Sequence, residues 1–261
     1  MVCLGGAVYR GSRKHILDWT GLPSFREELA EFLALESVRF LSTTPLMPQG
    51  IKASAEARLE TFGPRWLPGH SVWTALSDWW LYHKVGANTP NWDMALGCEI
   101  EGRPGLIMVE AKANWPELGT GGKALSRNAT EKSRDNHQRI GHAIDEACTG
   151  WCSLDERVAI VRDSHYQLAN RLAFTWKLAT LGIPVVLLYL GFTGDEGIRD
   201  VGQPFTDDFE WQQAFERYIK DIFPTDLVNK RLEIESVPVW LLSRSRPVIE
   251  ISGSRVTGAK L

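Results

Sequence analysis

The sequence predicts a mixed α/β domain in which helices cover a central sheet, and three observations carry that expectation. Residues Asp93 to Glu101 alternate strictly between apolar and small or polar side chains, the period of a strand with one face in a core. Leu106 to Lys112 follows across a Gly- and Pro-containing turn, so the two runs read as a hairpin. Pro184 to Phe192 is a continuous apolar run behind a helical segment, the pattern of a strand buried on both faces.

The other elements follow in chain order. Residues 1–23 have little periodicity and predict an irregular arm. Ser24 is placed to cap a helix from Phe25 to Leu41, with Phe25, Leu29, Phe32, Leu33 and Leu35 as its apolar positions. The segment from Thr44 to Gly50 holds Pro45 and Pro48 and breaks the pattern. A short helix is expected from Lys52 to Phe62, stopping before Gly63-Pro64, and another from Ser71 to Lys84 with Val72, Leu76, Trp79, Trp80 and His83 as its stripe. In the hairpin, Met94, Leu96, Cys98 and Ile100 share one face, Asp93, Ala95, Gly97, Glu99 and Glu101 share the other, and the turn is read as Gly102 to Gly105. A loop with Gly119, Gly121 and Gly122 precedes a helix from Thr130 to Thr149. The next helix is capped by Asp163 or Ser164 and runs to Leu181, with Gly182 as its stop signal. A helix from Phe209 to Phe223 and short strands at Val237–Leu242 and Val248–Ile251 complete the reading. The whole reads as a single domain: core 71–192, an N-terminal helical extension 1–70, and a C-terminal helix and strands 193–261.

Composition narrows the function. The chain has 261 residues, 44% of them apolar and 23% charged, enough to bury a core, which excludes a disordered polar chain. With 29 Lys+Arg against 32 Asp+Glu the net charge is −3, which excludes a histone-like binder but leaves room for a local basic groove. The longest apolar run, Val185 to Leu190, is far shorter than the roughly 20 residues of a membrane helix. The N-terminal segment lacks a continuous apolar stretch, so no signal peptide is expected. Cys3, Cys98, Cys148 and Cys152 form no C-x-x-C framework and read as reduced thiols of a cytoplasmic protein. His137, His142, Cys148 and Cys152 do not match a zinc-ligand spacing and read as helix residues.

The chemistry is concentrated in Pro90 to Lys112. Glu110 and Lys112 are two apart on a strand and project from one face. If Asp93 lies opposite Lys112 and Ala95 opposite Glu110, the two carboxylates sit diagonally on that face, within reach of one small cation. A slip of one residue would put them on different faces. Two carboxylates and a backbone carbonyl form an oxygen-rich site suited to Mg²⁺ or Mn²⁺. Ala95 and Gly97 are small and leave room beside them.

An Asp opening one strand and Glu110-Ala111-Lys112 closing the next, behind apolar residues, resembles the PD-(D/E)XK nuclease superfamily. Pro90 stands three residues before Asp93, displaced from the position that family favours. The resemblance implies a restriction-endonuclease-like fold and metal-dependent phosphodiester hydrolysis, with Mg²⁺ or Mn²⁺ as cofactor. It implies Asp93 and Glu110 as metal ligands, the carbonyl of Ala111 as a third, and Lys112 as the catalytic lysine. Nucleic acid, DNA foremost, is the implied partner, and homodimers are frequent in that superfamily. Some relatives add a carboxylate from a preceding helix, for which Glu56, Glu60 and Asp78 are candidates. Others add a polar residue from the following helix, for which Asn136 and Gln138 are candidates. Two other classes stay open: a non-catalytic nucleic-acid- or protein-binding module on the same fold, and a hydrolase of another phosphate ester. Only a polyanionic ligand gives a steep salt dependence, which separates these readings.

Gln167, Asn170 and Arg171 share one helical flank, with Leu168, Leu172, Trp176 and Ala179 on the buried stripe, so the three polar side chains are candidates for cleft or phosphate contacts. Trp92 and Trp115 flank the acidic segment and are candidates for base stacking. Lys123, Arg127, Lys132, Arg134 and Arg139 form a basic stretch that could track a phosphate backbone.

Overall fold

The computed structural model describes residues 9–248. Cys3 and most of the expected last strand, Val248–Ile251, lie outside the described residues. Among the described residues the architecture is mixed α/β, and no helix is long and apolar enough to cross a membrane.

The sheet is organised by the hairpin β3 (Met94–Ile100) and β4 (Arg103–Lys112). Its turn is tighter than the sequence suggests. Glu101 (φ 50°) and Gly102 (φ 73°) both take the left-handed conformation, so they form a two-residue turn whose twist matches the strands. Arg103 and Pro104 therefore belong to β4, paired with Ile100 and Glu99. β4 then runs parallel to β5 (Val185–Thr193), and β5 runs parallel to β7 (Val237–Pro247). β6 (Arg231–Ile234) closes one edge antiparallel to β7. At the other edge β1 (Val38–Arg39) and β2 (Leu46–Met47) pair with different stretches of β3.

Helices cover both faces, which is why β5 is buried along its whole length. One face carries α3 (Leu59–Trp66), α4 (Val72–Trp80), α5 (Glu131–Cys152), α6 (Tyr166–Thr180) and α7 (Asp208–Ile219). The other carries α1 (Gly11–Thr20) and α2 (Phe25–Leu33). The strand alternation sorts side chains accordingly. Met94, Leu96, Cys98 and Ile100 pack toward α1 and α2, while Ala95, Leu106 and Met108 pack toward α4–α6.

Four sequence expectations are corrected. The arm at 1–23 contains α1, whose Ile16, Leu17 and Trp19 are buried; its other side chains are too polar to give a clear stripe. α2 stops at Leu33, not Leu41, because Ala34 turns left-handed (φ 52°). The short helix starts at Leu59, not Lys52, and continues through Gly63-Pro64. There Pro64 forgoes one backbone bond in a helix that ends two residues later. The space expected beside Gly97 is filled by Trp66, whose ring lies 2.7 Å from where a Cβ would stand. Ala95 is fully buried in the same core, so neither residue leaves a ligand cavity on the mid-strand face.

Candidate active site

The two acids meet where the hairpin opens. Met94 pairs with Val109, so the register, continued one step, sets Asp93 across from Glu110. This is two residues away from the Asp93–Lys112 pairing the sequence suggested, because the turn is the shorter one. The shift is even, so both carboxylates remain on one face. Asp93 itself has left the ladder. Trp92 exchanges backbone bonds with Ala57, at 2.8 and 3.0 Å, and this pulls the chain away from β4. The freed Asp93 side chain turns back, and its Oδ2 accepts the Ala111 N–H at 2.8 Å.

Glu110 and Lys112 are buried at 2% and 4% exposure, which would be prohibitive for unpaired charges. They are paired. Lys112 Nζ donates to Glu110 Oε1 at 2.5 Å and to Gln167 Oε1 at 2.7 Å. Arg171, itself 5% exposed, donates from Nε to Glu110 Oε2 at 2.7 Å and forms an ion pair with it, Nη2 lying 2.6 Å from the same oxygen. Its remaining donors go to the Asn91 carbonyl at 2.6 Å and to Asn170 Oδ1 at 2.9 Å, and its plane stacks on Trp92 at 4.3 Å. Gln167, Asn170 and Arg171 sit in the first half of α6, on the flank the spacing indicated, and α6 carries them over the ends of β4 and β5.

The electrostatics separate the two acids. Burial raises the Asp93 carboxyl to about 7, and the nearby negative charge of Glu110 pushes it the same way. Burial also pushes Glu110 up, but Arg171 and Lys112 together outweigh it and hold Glu110 below the usual carboxylate range. Burial opposes the Arg171 charge, and Glu110 more than restores it. Two environments thus keep one acid firmly ionised and leave the other poised near neutrality.

Several expected participants lie elsewhere. Both oxygens of Glu60 are used by Thr89, from its backbone N–H at 2.9 Å and its hydroxyl at 2.5 Å. Glu56 accepts from Asn91, and Asp78 pairs with Lys84. Gln138 is exposed, while Asn136 is locked to the backbone of His83 in both directions. Trp92 is fully buried beneath Arg171, and Trp115 is bonded to Glu210 with Arg217 over its ring, so neither offers a free face to a base. Of the basic stretch, Lys123 reaches the cleft, whereas Arg139 stacks on Tyr82 and bonds to the Asp78 carbonyl. Cys148 and Cys152 both donate to the Val158 carbonyl. The sequence signals the pairing of Arg171 with Glu110 only through the flank that Arg171 shares with Gln167.

A divalent cation fits the donors present. Asp93 Oδ1 accepts no hydrogen bond among the described residues, and Glu110 Oε1 accepts only from Lys112, so each has a lone pair to offer. The like-charge pressure of Glu110 on Asp93 is the strain such an ion relieves. No group of three or more His, Cys, Asp or Glu that could hold a metal ion occurs among the described residues. Comparison with family models, curated proteins and solved structures returns no match to this chain.

Proposed function

We propose that the protein is a divalent-metal-dependent phosphodiester hydrolase acting on nucleic acid, DNA foremost, of the PD-(D/E)XK type with a restriction-endonuclease-like core. The observation that carries this reading is the convergence of Asp93, Glu110 and Lys112 at one end of the sheet, with Gln167 fixing the lysine. Asp93 and Glu110 would hold Mg²⁺ or Mn²⁺, beside the Ala111 peptide. When bound, the ion would neutralise phosphate charge and lower the pKa of a coordinated water.

The protein's own groups do the rest. Lys112 has three ammonium protons, and two are committed to Glu110 and Gln167. The third is available to a phosphoryl oxygen or to the attacking water, where charge develops in the transition state. Arg171 keeps Glu110 ionised and fixed, so it positions the ligand set and does not touch substrate through that contact. Asp93 must lose its proton to bind metal, which its pKa of about 7 allows at and above neutral pH.

A second reading, a non-catalytic nucleic-acid-binding module, is favoured by one observation: Glu110 is already neutralised by two cations. Cleavage separates the two. Single- and double-stranded DNA and RNA are incubated with Mn²⁺ or Mg²⁺ and wild type, Asp93→Ala or Lys112→Ala. The hydrolase reading expects metal-dependent cutting that falls by at least about 100-fold in each variant. Binding without cutting by the wild type selects the module.

A further inference from the structure

Beside the two acids lies a cavity of about 330 Å³ whose lining includes Asn88, Lys123, Tyr166, Gln167, Asn170 and Arg171. Its amides are oriented by their partners. Asn88 Oδ1 accepts from Arg58 at 3.2 Å, Gln167 Oε1 from Lys112 at 2.7 Å, and Asn170 Oδ1 from Arg171 at 2.9 Å. Lysine and arginine only donate, so the partner atom must be the amide oxygen, and no flip of the amide is compatible with these contacts. Each amide oxygen is thus turned toward its cationic partner, and the NH₂ is the group left to face a ligand. Asn170 is 4% exposed, yet its NH₂ donates to nothing among the described residues. Lys123 stands over the Tyr166 ring at 4.7 Å, has no carboxylate partner among the described residues, and is partly desolvated, which lowers its pKa. The first turn of α6 contributes the positive end of its dipole to the same cavity.

This lining holds oriented amide NH₂ groups, an ammonium with no carboxylate partner among the described residues, and no carboxylate of its own, the complement of an oxyanion. We propose that the cavity is a phosphate subsite, in which Asn88, Lys123, Gln167 and Asn170 hold a phosphate of the nucleic-acid strand next to the bond that is cut. It rests on the functional reading above for the identity of the chain that carries the phosphate, while the anion site itself does not.

The test is metal-free binding, in EDTA, of an oligonucleotide labelled at its 3′ end and followed by fluorescence anisotropy. Strands with a 5′-phosphate and a 5′-hydroxyl are compared, with inorganic phosphate as competitor and chloride at matched ionic strength as control. The key variants are Asn170→Asp and Asn88→Asp, which keep the oxygen that Arg171 or Arg58 needs and replace the NH₂ with an acceptor, and Lys123→Ala. Circular dichroism checks that each is folded. The expected result is competition by phosphate beyond that of chloride, about tenfold weaker binding in Asn170→Asp and Lys123→Ala, and a salt slope shallower by about one in Lys123→Ala. A preference for the 5′-phosphate identifies a strand end as the occupant; equal binding of both strands identifies an internal phosphate. Unchanged affinity in folded Asn170→Asp and Lys123→Ala, or no competition by phosphate, overturns the subsite. Because this assay holds no metal, it reads the phosphate subsite alone, while the cleavage assay above reads the metal-dependent activity, so failure of one is distinguishable from failure of the other.

Discussion

On β4 the side chains of Ile107, Val109 and Ala111 go to one face of the sheet, and those of Leu106, Met108, Glu110 and Lys112 go to the other. The first face, covered by α1 and α2, is apolar to the end of the strand. The second is apolar at Leu106 and Met108, then charged at Glu110 and Lys112 while remaining just as buried. The difference is the covering helix. α6 brings Arg171, Asn170 and Gln167 over the strand end, so every charge there has a partner, whereas α1 and α2 bring Ile16, Trp19, Phe25 and Leu29. The same strand can thus carry a core on one side and a buried cluster of charges on the other, provided the charges are paired across elements far apart in sequence.

The comparison can be broken most severely at Arg171. Arg171→Ala leaves Glu110 buried with one cation fewer and should cost about 3–5 kcal/mol in urea unfolding. On the apolar face, Leu188→Ala leaves only a cavity and should cost about 2–5 kcal/mol. The two differ in salt and pH response, which Leu188→Ala should leave unchanged. Asp93 sharpens the contrast by its sign. Its folded-state pKa of about 7 lies above the ordinary 3.8, so the stability it contributes is complete below about pH 4 and is lost as pH rises through 7. Asp93→Asn cannot ionise and keeps an oxygen for the Ala111 N–H. Without metal it should match wild type at pH 4 and exceed it by roughly 2–4 kcal/mol at pH 8, measured by urea unfolding at both values. The smallest effect is expected away from the site: Glu60→Gln exchanges the charge-assisted bond from the Thr89 hydroxyl for a neutral one and should lose about 1 kcal/mol, with metal binding unchanged.

Much of this was legible in the sequence because it is periodic. The alternation from Met94 to Ile100 gave β3, and the unbroken apolar run gave β5. The i, i+3, i+4 spacing placed Gln167, Asn170 and Arg171 together on α6. What escaped is set by contacts without a local signature. β1 and β2 are two residues each and exist only through pairing with β3. The register depended on whether Arg103-Pro104 belonged to the turn, and the left-handed Glu101 is not a residue that announces a two-residue turn. The burial of Trp92 follows from Ala57 and Arg171, distant in sequence. The Arg171–Glu110 pair spans 61 positions, and no spacing rule reaches that far.

The most direct test of the account is Mn²⁺ binding followed by electron paramagnetic resonance at pH 8, on wild type, Asp93→Asn, Glu110→Gln and Lys112→Ala. The account predicts one bound ion in wild type, its loss in Asp93→Asn and Glu110→Gln, and its retention in Lys112→Ala, because the lysine shares the site without being a ligand. No bound Mn²⁺ in the wild type, or equal binding by Asp93→Asn, would contradict it.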